Sequence, residues 1–188
     1  MPLNSEGLIT FEKEVELLPY KPRPFKPREF LTDAEILANV GGTLFLNVES
    51  YPNYFLITFK LHKANKFLQL ECGEGRNFNP QFLSWLLHNY RTVGFNSINF
   101  DLLIIWLAYR NQDTYVIKEA VNDLIVKGIR DFEIKKSYNF KTYPINHIDL
   151  IEVAPLKGSL KLYGARLHTK SIQEQPFDIN AELSDFEI

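Results

Sequence analysis

The chain has 188 residues, with 21 Lys and Arg against 23 Asp and Glu and a formal net charge of −2. That length suits one domain with a real core, and the charge balance excludes a globally basic nucleic-acid binder, so any phosphate contact has to come from a local patch. A lone Cys72 excludes an intramolecular disulfide and a thiolate metal cluster, no apolar run approaches the ~20 residues of a membrane helix, and residues 1–10 lack the basic start and apolar stretch of a leader. A soluble, cytoplasmic protein with no membrane contact is therefore expected.

Residues 1–42 form the first segment. Prolines at 19, 22, 24 and 27 occur too often for a helix or a central strand, which predicts an extended arm. Its cations and aromatic side chains suit either contact with phosphates and bases or a leader laid over the domain surface. Thr32-Asp33-Ala34-Glu35 is a capping box opening a short helix through Ala38, which Gly41-Gly42 stops.

From 43 to 188 the pattern is that of one domain. Residues 43–50 form a strand, Tyr51-Pro52-Asn53 turns the chain, and residues 54–59 pair back. Asn47 and Glu49, two apart, share one face of the first strand. An ionised carboxylate on an apolar strand calls for a metal ion or a basic side chain beside it, because an unpaired buried charge is costly. Residues 66–71 give a third strand and complete an antiparallel meander. Gly73-Glu74-Gly75-Arg76 lacks the third glycine of a dinucleotide fingerprint and is assigned to a turn.

Asn79-Pro80 starts a helix over 81–90, residues 92–95 form a short strand, and Asn96-Ser97-Ile98-Asn99-Phe100-Asp101 runs into an apolar helix over 102–109. Asp101 falls in the first turn of that helix, where the helix dipole favours a carboxylate whatever its function. A single amphipathic helix is predicted over 114–136, with Asp113, Glu119, Asp123, Asp131 and Glu133 on a solvated face. Residues 145–153 alternate as a fifth strand, and residues 159–167 form a helix in a segment rich in Lys157, Lys161, Arg166 and Lys170. Those cations suit phosphate contacts or a simple solvated face.

Two stretches carry a family resemblance. With Asp in place of Asn47, Leu46-Asn47-Val48-Glu49-Ser50 resembles the first motif of the DEDD (DnaQ-like, ribonuclease-H-like) family of metal-dependent 3′ to 5′ exonucleases, which includes proofreading domains of phage-type and family B DNA polymerases. Gly94 to Asp101, with Asn96 and the Phe100-Asp101 pair, resembles the second motif. The resemblance spans about Leu44 to Asp178 and implies an α/β, ribonuclease-H-like fold, with a mixed five-stranded sheet, the first three strands antiparallel, and helices on both faces.

It further implies that Asn47, Glu49 and Asp101 are the catalytic and metal-binding positions for two Mg²⁺ or Mn²⁺ ions, and that Asn96 and Phe100 shape the cleft around a terminal base. Lys161 and Arg166 would contact the strand, and Asp149 would have a hydrogen-bonding role at the edge of the site. The implied activity is removal of nucleotides from the 3′ end of single-stranded DNA, with a DNA polymerase as the expected partner.

Asn47 replaces a charged ligand by a neutral amide, so the chain as written is expected to cut poorly, either as an engineered variant or by natural degeneration. The family's third motif, Tyr-x-x-x-Asp or His-x-x-x-Asp, is matched in letters only by Tyr109 and Asp113. If the helix from Asp101 continued, twelve residues at ~1.5 Å each would put Asp113 roughly 18 Å from Asp101. A C-terminal segment beyond this chain, or another polypeptide, is expected to supply it. The alternatives are a non-catalytic module that binds nucleic acid or a partner through the old cleft, and a structural subunit docked on a polymerase by the aromatic arm.

Overall fold

The computed structural model describes residues 28–156, 158–169, 177–185, 187 and 188. The expected Pro-rich arm, apart from Arg28, and the cations Lys157 and Lys170 lie outside the described residues.

The fold is a mixed α/β arrangement on a six-stranded sheet. Its strands are β1 (Glu29–Phe30), β2 (Thr43–Ser50), β3 (Tyr54–Leu61), β4 (Lys66–Gly73), β5 (Arg91–Gly94) and β6 (His147–Asp149), ordered β1-β4-β3-β2-β5-β6. β2, β3 and β4 form the expected antiparallel meander, whereas β5 pairs parallel to β2 and β6 parallel to β5. The strand added to the expected five is β1, two residues that pair parallel to the outer edge of β4.

Strict alternation sets the sheet's two faces. Leu44, Leu46 and Val48 of β2 and Phe55, Ile57, Phe59 and Leu61 of β3 are buried on one side. Burial of each such side chain is worth about 1.5–3 kcal/mol. They pack with α2 (Pro80–Asn89), α3 (Asp101–Arg110) and α4 (Thr114–Ile125) in one core, which also takes in Ile36 of α1 (Asp33–Ala38). α1 starts at the expected capping box on Thr32 and Glu35. α3 is apolar on nearly all sides because it is enclosed, packing against α2, α4 and β2 with residues 101–108 all buried.

The opposite face is more open over the β2-β3-β4 meander. There Phe45 is 40% exposed and Asn47 is exposed, while Lys60, Thr58, Phe67 and Gln69 are half-buried. At the Leu56 end of this face Phe177, Leu183 and Ile188 pack with Tyr51 and Tyr54, and at the β5 end Val93, level with Phe45, is 7% exposed.

Two further elements differ from the sequence reading. The single helix expected over 114–136 is α4 and α5 (Asp131–Ser137), separated by a turn in which Gly128 takes φ +65°, a left-handed conformation suited to glycine. The fifth strand expected over 145–153 shrinks to β6. Asp149 then caps the short helix α6 (Leu150–Val153) by accepting the Ile151 N–H at 3.2 Å. The last helix is α7 (Leu160–Arg166), capped by Ser159.

Candidate functional site

β2 runs past the end of β5. Their pairing stops at Phe45 and Val93, so Asn47 and Glu49 lie on the projecting end of β2. The chain leaving β2 turns to one side of the sheet and the chain leaving β5 leads to β6 on the other, which makes this the kind of switch point where open α/β sheets bind ligands. The Asn47 Nδ2 donates to Glu49 Oε1 at 3.1 Å, so the amide at the first expected ligand position binds its neighbouring carboxylate.

Asp101, the first residue of α3, is 8% exposed, and its Oδ1 accepts the Val48 N–H at 3.2 Å. That bond ties the second expected motif to the strand carrying the first. Burial pushes the Asp101 carboxyl up to about 6; the backbone hydrogen bonds oppose this, while the charges of Asp149 and Glu49 add to it.

Asp149 is almost wholly enclosed and holds the loop leading into α3. It accepts the Asn96 N–H at 2.7 Å and the Ile98 N–H at 2.9 Å, besides the Ile151 N–H. Within that loop Asn96 adopts φ +55°, a left-handed conformation asparagine tolerates, and the Asn99 Nδ2 donates to Asn96 Oδ1 at 3.3 Å.

Beneath it, His147 bridges two buried hydroxyls, Ser97 Oγ to Nε2 at 2.8 Å and Thr92 Oγ1 to Nδ1 at 2.8 Å. Gly94 leaves room for this bridge: a Cβ there would come 2.4 Å from Ser97 Oγ. Burial pushes the His147 pKa down, with Asp149 and Glu152 acting the other way.

Beside Asp101 opens a cleft of about 550 Å³, with Asn96 and Phe100 on one wall and the end of α4 and the following turn, through Arg130, on the other. Lys161 and Arg166 do not line it. They are exposed on α7, with the Arg166 guanidinium 5.9 Å from the Tyr163 ring centre. Tyr163 in turn lies against Phe95 of the cleft, with ring centres 5.8 Å apart, so α7 borders the site through aromatic contact.

Asp113, the carboxylate of the letter match to a third motif, caps α4 by accepting the Tyr115 and Val116 N–H groups. Asp123, expected on a solvated face, is instead buried, holding Lys127 at 2.6 Å and the Tyr138 hydroxyl at 2.7 Å. Arg130 and the His147 bridge were missed by the sequence reading. Their only local signal is a glycine two residues before Arg130 and a histidine in an alternating run.

The implied pair of divalent ions does not fit this donor set. Two ions bridged for hydrolysis need several free carboxylate oxygens. Here one position is an amide already donating to Glu49, one oxygen of Asp101 faces a backbone N–H, and Asp149 is engaged by three backbone amides. Among the described residues no group of three or more His, Cys, Asp or Glu side chains is placed to hold a metal.

No protein family matches the chain, and no curated protein or solved structure matches it. Among the described residues no helix is long and apolar enough to cross a membrane.

Proposed function

We propose that this is a ribonuclease-H-like domain of the 3′ to 5′ exonuclease type, which in this sequence holds a single-stranded DNA end and cuts it poorly. The observation that carries the reading is the Asp101 to Val48 hydrogen bond. Through it the first residue of α3 meets β2 at the end bearing Asn47 and Glu49, so the two motifs that resemble the exonuclease family converge although 53 residues separate Val48 from Asp101. The antiparallel β2-β3-β4 meander, with parallel strands beyond it, supports the fold assignment.

In this reading Glu49 and Asp101 are the surviving acidic groups, and Asn47 occupies the position of a lost one. Asn96 and Phe100 shape the cleft for the terminal base, while Lys161 and Arg166 on α7 attract the strand's phosphates. Mg²⁺ or Mn²⁺ is the cofactor of the form with Asp restored at 47. A reducing, cytoplasmic setting accords with the lone, buried Cys72, and a DNA polymerase as partner rests on the family resemblance alone.

The test follows 3′-end trimming of a 5′-labelled single-stranded oligonucleotide with Mn²⁺. The chain as written should leave it intact, and Asn47→Asp supplied with a C-terminal helix that carries the third motif should shorten it from the 3′ end. An Asn47→Asp chain completed in this way that binds the strand with no gain in trimming sinks the exonuclease assignment.

The Asn47–Glu49 hydrogen bond also favours a second reading, a non-catalytic binding module on the same scaffold, because it already satisfies part of the acidic end without metal. That module would bind single strands equally well in EDTA and lose affinity steeply as salt rises.

A further inference from the structure

The cleft beside Asp101 encloses about 550 Å³, inside the roughly 300–1,000 Å³ range of small-molecule sites. Its two walls differ in chemistry. One is the loop into α3, which supplies the aromatic rings of Phe95 and Phe100, the amides of Asn96 and Asn99 and the carboxyl of Asp101. The other comes from the end of α4 and the turn into α5, which supplies Leu124, Ile125, Ile129, Arg130 and Asp131.

Arg130 is exposed and forms no ion pair among the described residues, whereas its neighbour Asp131 is held by Lys135 at 2.8 Å. A guanidinium without a carboxylate partner, on the rim of an aromatic and amide-lined cleft, is suited to an oxyanion such as phosphate. Ile125 is 62% exposed beside it and Val126 78%. An apolar lip next to a cation fits a ligand with a flat apolar body and a charged end, and a nucleotide combines the two. Rings and amides serve the base, since stacking tolerates every base and amides pair with its polar edge.

We propose that this cleft binds one unpaired nucleotide of a single strand, its base between the Phe95–Phe100 wall and Ile129 and its phosphate on Arg130. Arg130 is then a substrate-binding residue of the site. This deepens the function proposed above and rests on it for the identity of the ligand.

The test is fluorescence anisotropy in EDTA, which removes any contribution from metal, with 5′-labelled decamers of deoxythymidylate and of uridylate and a blunt decamer duplex of thymidylate with deoxyadenylate. Arg130→Gln should weaken single-strand binding about tenfold and reduce the salt slope by about 0.7, the loss of one phosphate contact on a single strand. Arg130→Lys should recover part of the loss, Lys63→Gln, an exposed cation in the β3–β4 turn, should leave affinity unchanged, and the duplex should bind at least about tenfold more weakly than either single strand. Circular dichroism melting confirms that the variants stay folded.

Retention of affinity within about twofold by Arg130→Gln, with the strand still bound, overturns the cleft assignment and leaves the reading of the acidic end intact. Equal binding of duplex and single strand also overturns it. If neither single strand binds the unsubstituted chain, both the cleft assignment and the nucleic-acid reading fall.

Discussion

Asp101→Asn should stabilise the protein at neutral pH and leave its stability in acid unchanged. Burial, with added repulsion from Asp149 and Glu49, holds this carboxyl at about 6, against 3.8 for a free aspartate. The gap of about two pH units, at ~1.4 kcal/mol each, amounts to about 3 kcal/mol of destabilisation once the group is ionised in both states. Below about pH 4 it is protonated whether the chain is folded or unfolded, and the term vanishes. Between about pH 4 and 6 the unfolded chain releases the proton that the folded chain retains, so stability falls as pH rises; above that window the loss is complete.

An asparagine keeps an oxygen for the Val48 N–H and carries no charge. Urea unfolding in EDTA, followed by tryptophan fluorescence from pH 4 to pH 8, should show the two proteins coinciding in acid. By pH 7 to 8 the variant should be ahead by about 1–3 kcal/mol. A constant offset at all pH values, or a variant less stable at pH 8, would refute the claim that a buried ionisation is maintained at this site at a cost in stability.

Three further outcomes follow from the same geometry. The His147 pKa is pushed below its usual 6.5 by burial, so its contribution to stability is full above that value and is lost as pH falls below it; His147→Gln should remove this acid limb in the same unfolding series. Asp149→Ala leaves the Asn96, Ile98 and Ile151 N–H groups without their acceptor, and should cost at least about 2 kcal/mol in urea unfolding and speed hydrogen exchange at those amides. Ile104→Ala, at a fully buried position of α3, should cost about 2–5 kcal/mol in the same assay, and a change under 1 kcal/mol would contradict the packing described.

The parts of the fold readable in the sequence were those set by local rules. The alternation of Leu44, Leu46 and Val48 against Phe45, Asn47 and Glu49 fixes the faces of β2, and the Thr32–Glu35 box fixes the start of α1. The parts that were not readable depend on tertiary choices. Residues 114–136 keep helical apolar spacing on both sides of Gly128, so the break between α4 and α5 leaves little trace in the periodicity. Alternation runs on past β6, but the Asp149 side chain turns inward to cap α6 and hold the Asn96 loop, which ends the strand early.

At the candidate site, Asn47, Glu49, Asn96, Phe100 and Asp101 were legible because they sit in two short motifs. Their convergence was expected only through the family resemblance; the residues themselves gave no sign of the hydrogen bond that joins these distant segments. Arg130 was invisible because its place beside Asp101 depends on how α4 and α5 fold back over the α3 loop.

The measurement that bears most directly on the account is Mn²⁺ titration calorimetry on this chain and on Asn47→Asp, each with and without a short single-stranded oligonucleotide. The chain as written should show little or no Mn²⁺ binding. Asn47→Asp should bind the ion, more tightly with the oligonucleotide present, and should lose that binding again when Glu49→Gln is added. If Asn47→Asp binds Mn²⁺ no better than the unsubstituted chain while both hold the oligonucleotide, the end of β2 is not a disabled exonuclease centre.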